Sequence, residues 1–154
     1  MLLILSSTGY GQIPGFSFFK TITIQASQVS GGTSLTDYPV LISHTDPDLR
    51  SITNGGKLVD INGFDISFTA DDGTTILDHQ LEEYNPTTGE INFWVKIPSL
   101  SNAVNTDIRL YYHNPFQNTD QSVNTVWDGN FNAVYHLTSN FNDATASGVN
   151  LTNF

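Results

Sequence analysis

Residues 90–115 read EINFWVKIPSLSNAVNTDIRLYYHNP. Ile91, Phe93, Val95 and Ile97 alternate with Asn92, Trp94, Lys96 and Pro98. After a Ser/Asn-rich loop, Ile108, Leu110 and Tyr112 alternate with Arg109, Tyr111 and His113. A period of two, with one oily and one polar face per strand, is what an antiparallel sheet with a single buried face requires. The stretch predicts two β-strands and, with them, a β-sandwich.

The flanking sequence repeats the pattern in shorter pieces. Residues 16–25 (FSFFKTITIQ) predict a strand with Ile22 and Ile24 inward. Residues 37–43 (DYPVLIS) predict another, whose Pro39 belongs at a strand start or on an edge because proline cannot donate to a ladder. Residues 45–52 suit one helical turn, with Thr45 or Asp46 as cap and Pro47 at the first helical position. Residues 64–69 (FDISFT) predict a strand, Asp71-Asp72-Gly73 a tight turn, and residues 74–84 the returning arm of that hairpin. Short strands, frequent Gly/Pro/Asn/Asp breaks and almost no helical periodicity give an all-β class: an antiparallel, jelly-roll-like β-sandwich over residues 16–118.

Composition shifts after His113 to a polar stretch rich in Asn and Gln, with one helical turn expected within residues 120–125. Residues 133–137 (AVYHL) then read as a new strand, and the chain ends at Phe154 in mid-pattern. The expectation is that residues 126–154 are the truncated start of a second β-domain, with Trp127 as a plug at the junction.

The 154 residues carry 15 acidic and 5 basic side chains, a net charge of −10, and no Cys. No Lys/Arg cluster exists to capture a phosphate backbone or an anionic bilayer, so nucleic-acid and membrane-surface roles are disfavoured. Disulfides and Cys-based zinc sites are excluded. Charged residues are only 13% of the chain, and the Ser, Thr, Asn and Gly abundance suits an extracellular β protein. An apolar run at residues 1–5, followed by small and polar residues to Gln12, reads as the remnant of a secretory signal peptide. Its alternative is an ordinary first strand. The run is too short to span a bilayer.

Together, FKTITIQASQVSGGTSLTDYPVLISHTDPDL, GFDISFTADDGTTILDHQLEEY, INFWVKIPSLS, TDIRLYYHNP and VWDGNFNAVYHL resemble, over residues 16–131 and with every block in order, a bacterial family known as domain of unknown function 2341. The resemblance implies a secreted or surface protein. It also implies a following concanavalin-like, laminin-G-like jelly roll, whose opening looks like the VYHL here. Some members are described as ExbB/TolQ-type biopolymer-transport components. The resemblance supplies no catalytic residues.

The chemistry legible in the residues is sparse. His44, His79, His113 and His136 are scattered, and HExxH, GxSxG and P-loop motifs are absent. His79 near Glu82 and Glu83 has no accompanying nucleophile, and reads as a surface strand histidine. Glu82, Glu83 and Glu90 are acidic residues of a kind that could flank a sugar, but such residues are common at strand ends. Asp60, Asn62 and Asp65 form a fragment of a calcium pattern without the closing bidentate Glu; turn chemistry is the favoured account of them, and calcium the lesser alternative. No cofactor is expected. If the strands at 90–97 and 108–112 are neighbours, Trp94 and Tyr111 make an outward aromatic platform for a sugar, with Asn92, Arg109 and Glu83 as hydrogen-bonding partners. Otherwise Trp94 lies under a loop or a second domain. The expected function is a non-catalytic module recognising a glycan or surface polymer. The alternatives are a spacer orienting the following domain and an accessory part of a polysaccharide-degrading enzyme.

Overall fold

Strand β6 (Glu90–Leu100) buries Ile91, Phe93, Val95 and Ile97 on one face, and β7 (Thr106–Tyr112) buries Ile108, Leu110 and Tyr112. Both alternations match the sequence pattern. In the computed structural model, which describes residues 3–10, 13–137 and 141–152, these two strands are the central ribbon of the molecule. They are not neighbours in one sheet. The loop after Leu100 carries the chain across, so β6 is central in a three-stranded sheet, order β3-β6-β5, and β7 lies inside a four-stranded sheet, order β1-β2-β7-β4.

The other strands are β1 (Leu3–Tyr10), β2 (Phe18–Ile24), β3 (Leu35–Thr45), β4 (Ile66–Ala70) and β5 (His79–Asn85). The β2–β3 segment lies along one side of the β6–β7 ribbon, through the pairs β2·β7 and β3·β6, and the β4–β5 segment lies along the other, through β4·β7 and β5·β6. All pairs are antiparallel, and this nested wrapping is the jelly-roll pattern. The inner faces meet in a single core that includes Ile22, Ile24, Ile42, Leu49, Leu58, Phe68, Phe93 and Leu110. Each such side chain contributes about 1.5–3 kcal/mol relative to exposure.

Several local expectations are corrected by this topology. Residues 64–84 close as a hairpin only beside the Asp71–Gly73 turn, through the Thr69–Ile76 bridge and the bonds from Ala70 N–H to Thr75 O and Leu77 N–H to Phe68 O (2.9 Å each); beyond it β4 stays in the four-stranded sheet and β5 joins the other. Residues 133–137 are extended but enter no ladder. Val134 donates its N–H to the Asp143 carboxylate and receives the Ala144 N–H on its carbonyl. The backbone of Leu3–Tyr10 pairs with β2 as an edge strand, in keeping with the first-strand alternative for this stretch. Residues 1, 2, 11, 12, 138–140, 153 and 154 lie outside the described residues, and with them parts of the leader and second-domain readings.

Other expectations hold. Pro47 opens a 3-10 turn (Pro47–Leu49) capped by Asp46, whose carboxylate accepts the Asp48 N–H at 2.8 Å. Pro39 sits on edge strand β3, opposite Lys96. Lys96 donates its N–H toward β5, to Asp78 O (2.9 Å), so the missing proline donor falls on the open edge.

Gly89 shows how tightly the β5–β6 turn seats against the turn after β3. Its φ is +75°, its carbonyl accepts the Asp46 N–H at 3.1 Å, and an added Cβ would stand 2.1 Å from Asp46 O. Gly89→Ala is expected to cost at least about 2 kcal/mol, because left-handed strain and a backbone clash coincide. In thermal unfolding the loss is about 4 °C or more. An unchanged midpoint would show that the two turns do not bear on each other.

Candidate functional site on the outer face of the three-stranded sheet

The β3-β6-β5 register sets Leu41, Trp94 and Gln80 side by side on the outer face. Strand β5 then inserts one extra residue between Leu81 and Glu83, and this bulge residue is Glu82. A bulge re-aims its side chain. Here the Glu82 carboxylate accepts the Trp94 Nε1–H at 2.6 Å.

The chain returns to this face after the 3-10 turn Asn124–Val126. Trp127, buried, packs its ring 5.0 Å from the Trp94 ring at 57° and donates Nε1–H to Gln80 Oε1 at 2.8 Å. Phe131 stands edge-on to Trp127 at 5.2 Å. The Gln80 amide nitrogen donates to Ala144 O (3.3 Å), which fixes Oε1 as the acceptor for Trp127. His136 Nε2 lies 2.8 Å from the same oxygen, which can only accept, so that nitrogen carries a proton. Its Nδ1 is 3.5 Å from Glu82. Residues assigned from the sequence to a second domain thus lie against the sandwich, on a cluster of two indoles, a phenyl ring, an imidazole, an amide and a carboxylate.

Two concavities flank the cluster. On the β3 side an open groove of about 500 Å³ runs over the edge strand, lined by Tyr38, Pro39, Leu41, Ser43 and Trp94, with Gln28, Val29 and Ser30 on its other bank. Tyr38 is 46% exposed. On the β5 side a more polar cavity of about 650 Å³ is lined by Glu82, Glu83, Tyr84, Asp120, His136 and Asn142, among others.

The residues singled out from the sequence are dispersed. Trp94 and Asn92 share the outer face of the β3-β6-β5 sheet, both half-buried. Tyr111 and Arg109 lie on the outer face of the opposite sheet, because β6 and β7 are in different layers. The Trp94–Tyr111 platform therefore does not exist. Tyr111 is 0% exposed, covered by Phe16 and Phe19 at 6.1 and 5.4 Å, and its hydroxyl donates to Gly73 O. Arg109 stacks on Phe19 at 5.1 Å and reaches Asp71 at 3.4 Å. Glu83 is exposed, and Glu90 sits at the far end of β6, opposite Thr45 and Asn85.

His79 is not a surface histidine. It points into the core between the rings of Phe68 (5.3 Å) and Phe93 (5.9 Å), with Nδ1 3.0 Å from Leu77 O, and burial pushes its pKa below the usual imidazole value. Asp65 is fully buried and accepts the N–H groups of Val59 (2.7 Å) and Asp60 (3.2 Å); burial pushes its carboxyl pKa up. Asp60 accepts the N–H of Asn62 at 2.8 Å. The oxygens of the calcium-like fragment are turned onto their own loop, and among the described residues no three His, Asp or Glu gather as metal ligands.

Sequence reasoning missed Tyr38, Gln80 and His136 as members of this face, whereas Trp127 was expected as a plug and Trp94 as covered by a later segment, and Trp127 does pack on Trp94. Strand parity puts Gln80 outward once β5 is paired with β6. The Glu82 bulge carries no sequence signal.

The fold and this face define an antiparallel β-sandwich module with one aromatic-capped outer surface. The chain belongs to the family described as Domain of unknown function (DUF2341), whose model matches residues 62–151. That match starts later than the resemblance read from the sequence and runs on past Trp127 and His136. No curated protein and no solved structure matches the chain.

Proposed function

We propose that this chain is a non-catalytic recognition module of a secreted or cell-surface multidomain protein, and that it binds a glycan or similar surface polymer in the groove over β3. The observation that carries the reading is the joining of Tyr38 and Trp94 in one open groove with Leu41, Pro39, Gln28, Ser30 and Ser43. Apolar sugar faces stack on aromatic rings, and amides and hydroxyls suit the sugar hydroxyls. The net charge of −10 favours neutral or basic polymers over acidic ones.

Tyr38→Ala is the discriminating change, because Trp94 also supports the fold through Trp127 and Glu82. Affinity electrophoresis against neutral polysaccharides is expected to show retardation of the native chain. The variant is expected to bind at least about tenfold more weakly, a loss of about 1.4 kcal/mol, with an unchanged melting temperature. Equal mobility of the two proteins in every polymer would overturn the groove assignment. It would favour the second reading, a spacer, which the Trp127 docking supports by fixing the chain that leaves the sandwich. Turnover of a polysaccharide by the purified chain would instead support an enzyme accessory role.

A further inference from the structure

The inner-facing end of β2 holds a group of charges that neither the groove nor the aromatic cluster uses. Lys20 lies in register with Leu110, two residues before the buried Ile22, and its side chain is 13% exposed. Its ammonium meets Asp46 Oδ2 directly and lies 3.2 Å from Asp48 Oδ2. The Asp46 side chain is 15% exposed, and its other oxygen, Oδ1, is held by the Asp48 backbone N–H at 2.8 Å. The Tyr112 hydroxyl donates to Asp48 (3.3 Å), Lys57 pairs with Asp48 (3.0 Å), and the Tyr112 ring lies 6.0 Å from the Lys20 nitrogen.

We infer that Lys20 and Asp46 are a self-modification site, where the chain forms an amide bond between the two side chains with Asp48 as the proton carrier. Three features distinguish the arrangement from a surface ion pair. The Lys20 ammonium and an Asp46 carboxylate oxygen are placed in contact by β2 and by the turn that follows β3, both largely shielded from water, which turns a bimolecular condensation into an intramolecular one. A fixed backbone N–H already polarises Asp46 Oδ1 and would hold negative charge there as the nitrogen adds. A second carboxylate stands on the nitrogen itself.

The step balances without any added reagent. Asp48 accepts a proton from the Lys20 ammonium, and the free amine attacks Asp46 Cγ to form the C–N bond. The bond from Cγ to Oδ2 breaks. Two of the three ammonium protons, relayed by Asp48, leave with that oxygen as water, and Oδ1 remains as the amide carbonyl on the Asp48 N–H. The product ties β2 of one sheet to the end of β3 in the other and closes the intervening segment covalently. A cross-link of that kind restricts the unfolded chain. This inference does not depend on the polymer groove.

Intact-mass spectrometry of the full 154-residue chain tests it. The native protein is expected to be lighter than its calculated mass by one water, and proteolysis is expected to yield the fragments carrying Lys20 and Asp46 joined. Lys20→Arg, Asp46→Ala and Asp48→Ala are each expected to show the full calculated mass, with the fragments separate. A folded native chain at its full mass would overturn the inference. So would a water lost elsewhere, for example at Asp72-Gly73, with the two fragments still separate. A joined pair in Asp48→Ala would overturn the role given to Asp48. The native measurement stands even if a variant fails to fold.

Discussion

Trp127→Ala is expected to lower stability by about 3–5 kcal/mol, the range for truncating a buried large aromatic. For a chain of this size that corresponds to about 6–20 °C in melting temperature. The cause is local and specific. Trp127 is 6% exposed, covers one flank of the Trp94 ring, and supplies one of the two N–H groups that settle on Gln80 Oε1. Removing it uncovers Trp94 and leaves Phe131 and His136 without their shared neighbour. The chain has two tryptophans, so the variant reports on Trp94 alone. Its emission is expected to shift to the red, and residues 124–145 are expected to become the first site of proteolytic cleavage. Trp127→Phe keeps ring contact but loses the hydrogen bond to Gln80, and is expected to cost about 1 kcal/mol. A Trp127→Ala protein with native melting temperature and native emission would mean that the segment after Thr125 does not hold this face.

That packing changes how the outer face is used. An uncapped Trp94 would be a free stacking surface in the middle of a sheet. Capped by Trp127 and tied to Glu82, it presents only its β3-side flank to the groove. The ring left open to the groove lies at the β3 edge: Tyr38, in register with the inward-facing Ile97 and so on the other parity from Trp94. The acidic and amide side chains collect on the other side, around Glu82, Glu83, Asp120 and His136. One indole thus separates a largely apolar groove from a polar cavity.

Strand faces were legible from sequence because burial on one side of a strand writes itself as a period of two. Ile91, Phe93, Val95 and Ile97 could be assigned inward without knowing any partner, and the structure buries all four. Which strands pair was not legible. Alternation states that a side chain faces a core, but not which sheet contributes it. The 101–105 loop and the 71–78 segment both change layer, and with β6 and β7 in different sheets the condition for a Trp94–Tyr111 platform is not met. Tyr111 falls on the polar parity of β7, which predicts exposure. Phe16 and Phe19 cover that parity from β2 and the segment before it. His79 failed in the opposite way. Its position on β5 is inward, and its polarity points the other way; the Leu77 carbonyl and the Phe68 and Phe93 rings let the imidazole be buried.

Phe93→Ala is expected to cost about 3–5 kcal/mol, and its pH dependence gives it a signature that a generic core lesion lacks. Phe93 is 2% exposed at the centre of β6, with its ring 5.3 Å from Phe68 and 5.9 Å from the His79 imidazole. His79 itself is 5% exposed, and burial holds its folded-state pKa below the ordinary 6.5. The sign follows from linkage. A base whose pKa is depressed by folding adds no penalty above about pH 6.5, where both states are neutral. As pH falls below that value the unfolded state binds the proton first, and stability is lost at up to about 1.4 kcal/mol per pH unit until the folded pKa is reached. Carboxylates titrate lower in the same scan, so the His79 contribution is read as the difference between the native chain and His79→Leu. Urea midpoints at pH 7.5 and pH 5.5 are expected to fall more for the native protein than for His79→Leu. In Phe93→Ala the imidazole borders a void, regains hydration, and its folded pKa rises toward 6.5. The variant is therefore expected to be less stable at both pH values but flatter between them. Equal acid losses in the native chain and His79→Leu would show that the imidazole does not enter the core uncharged.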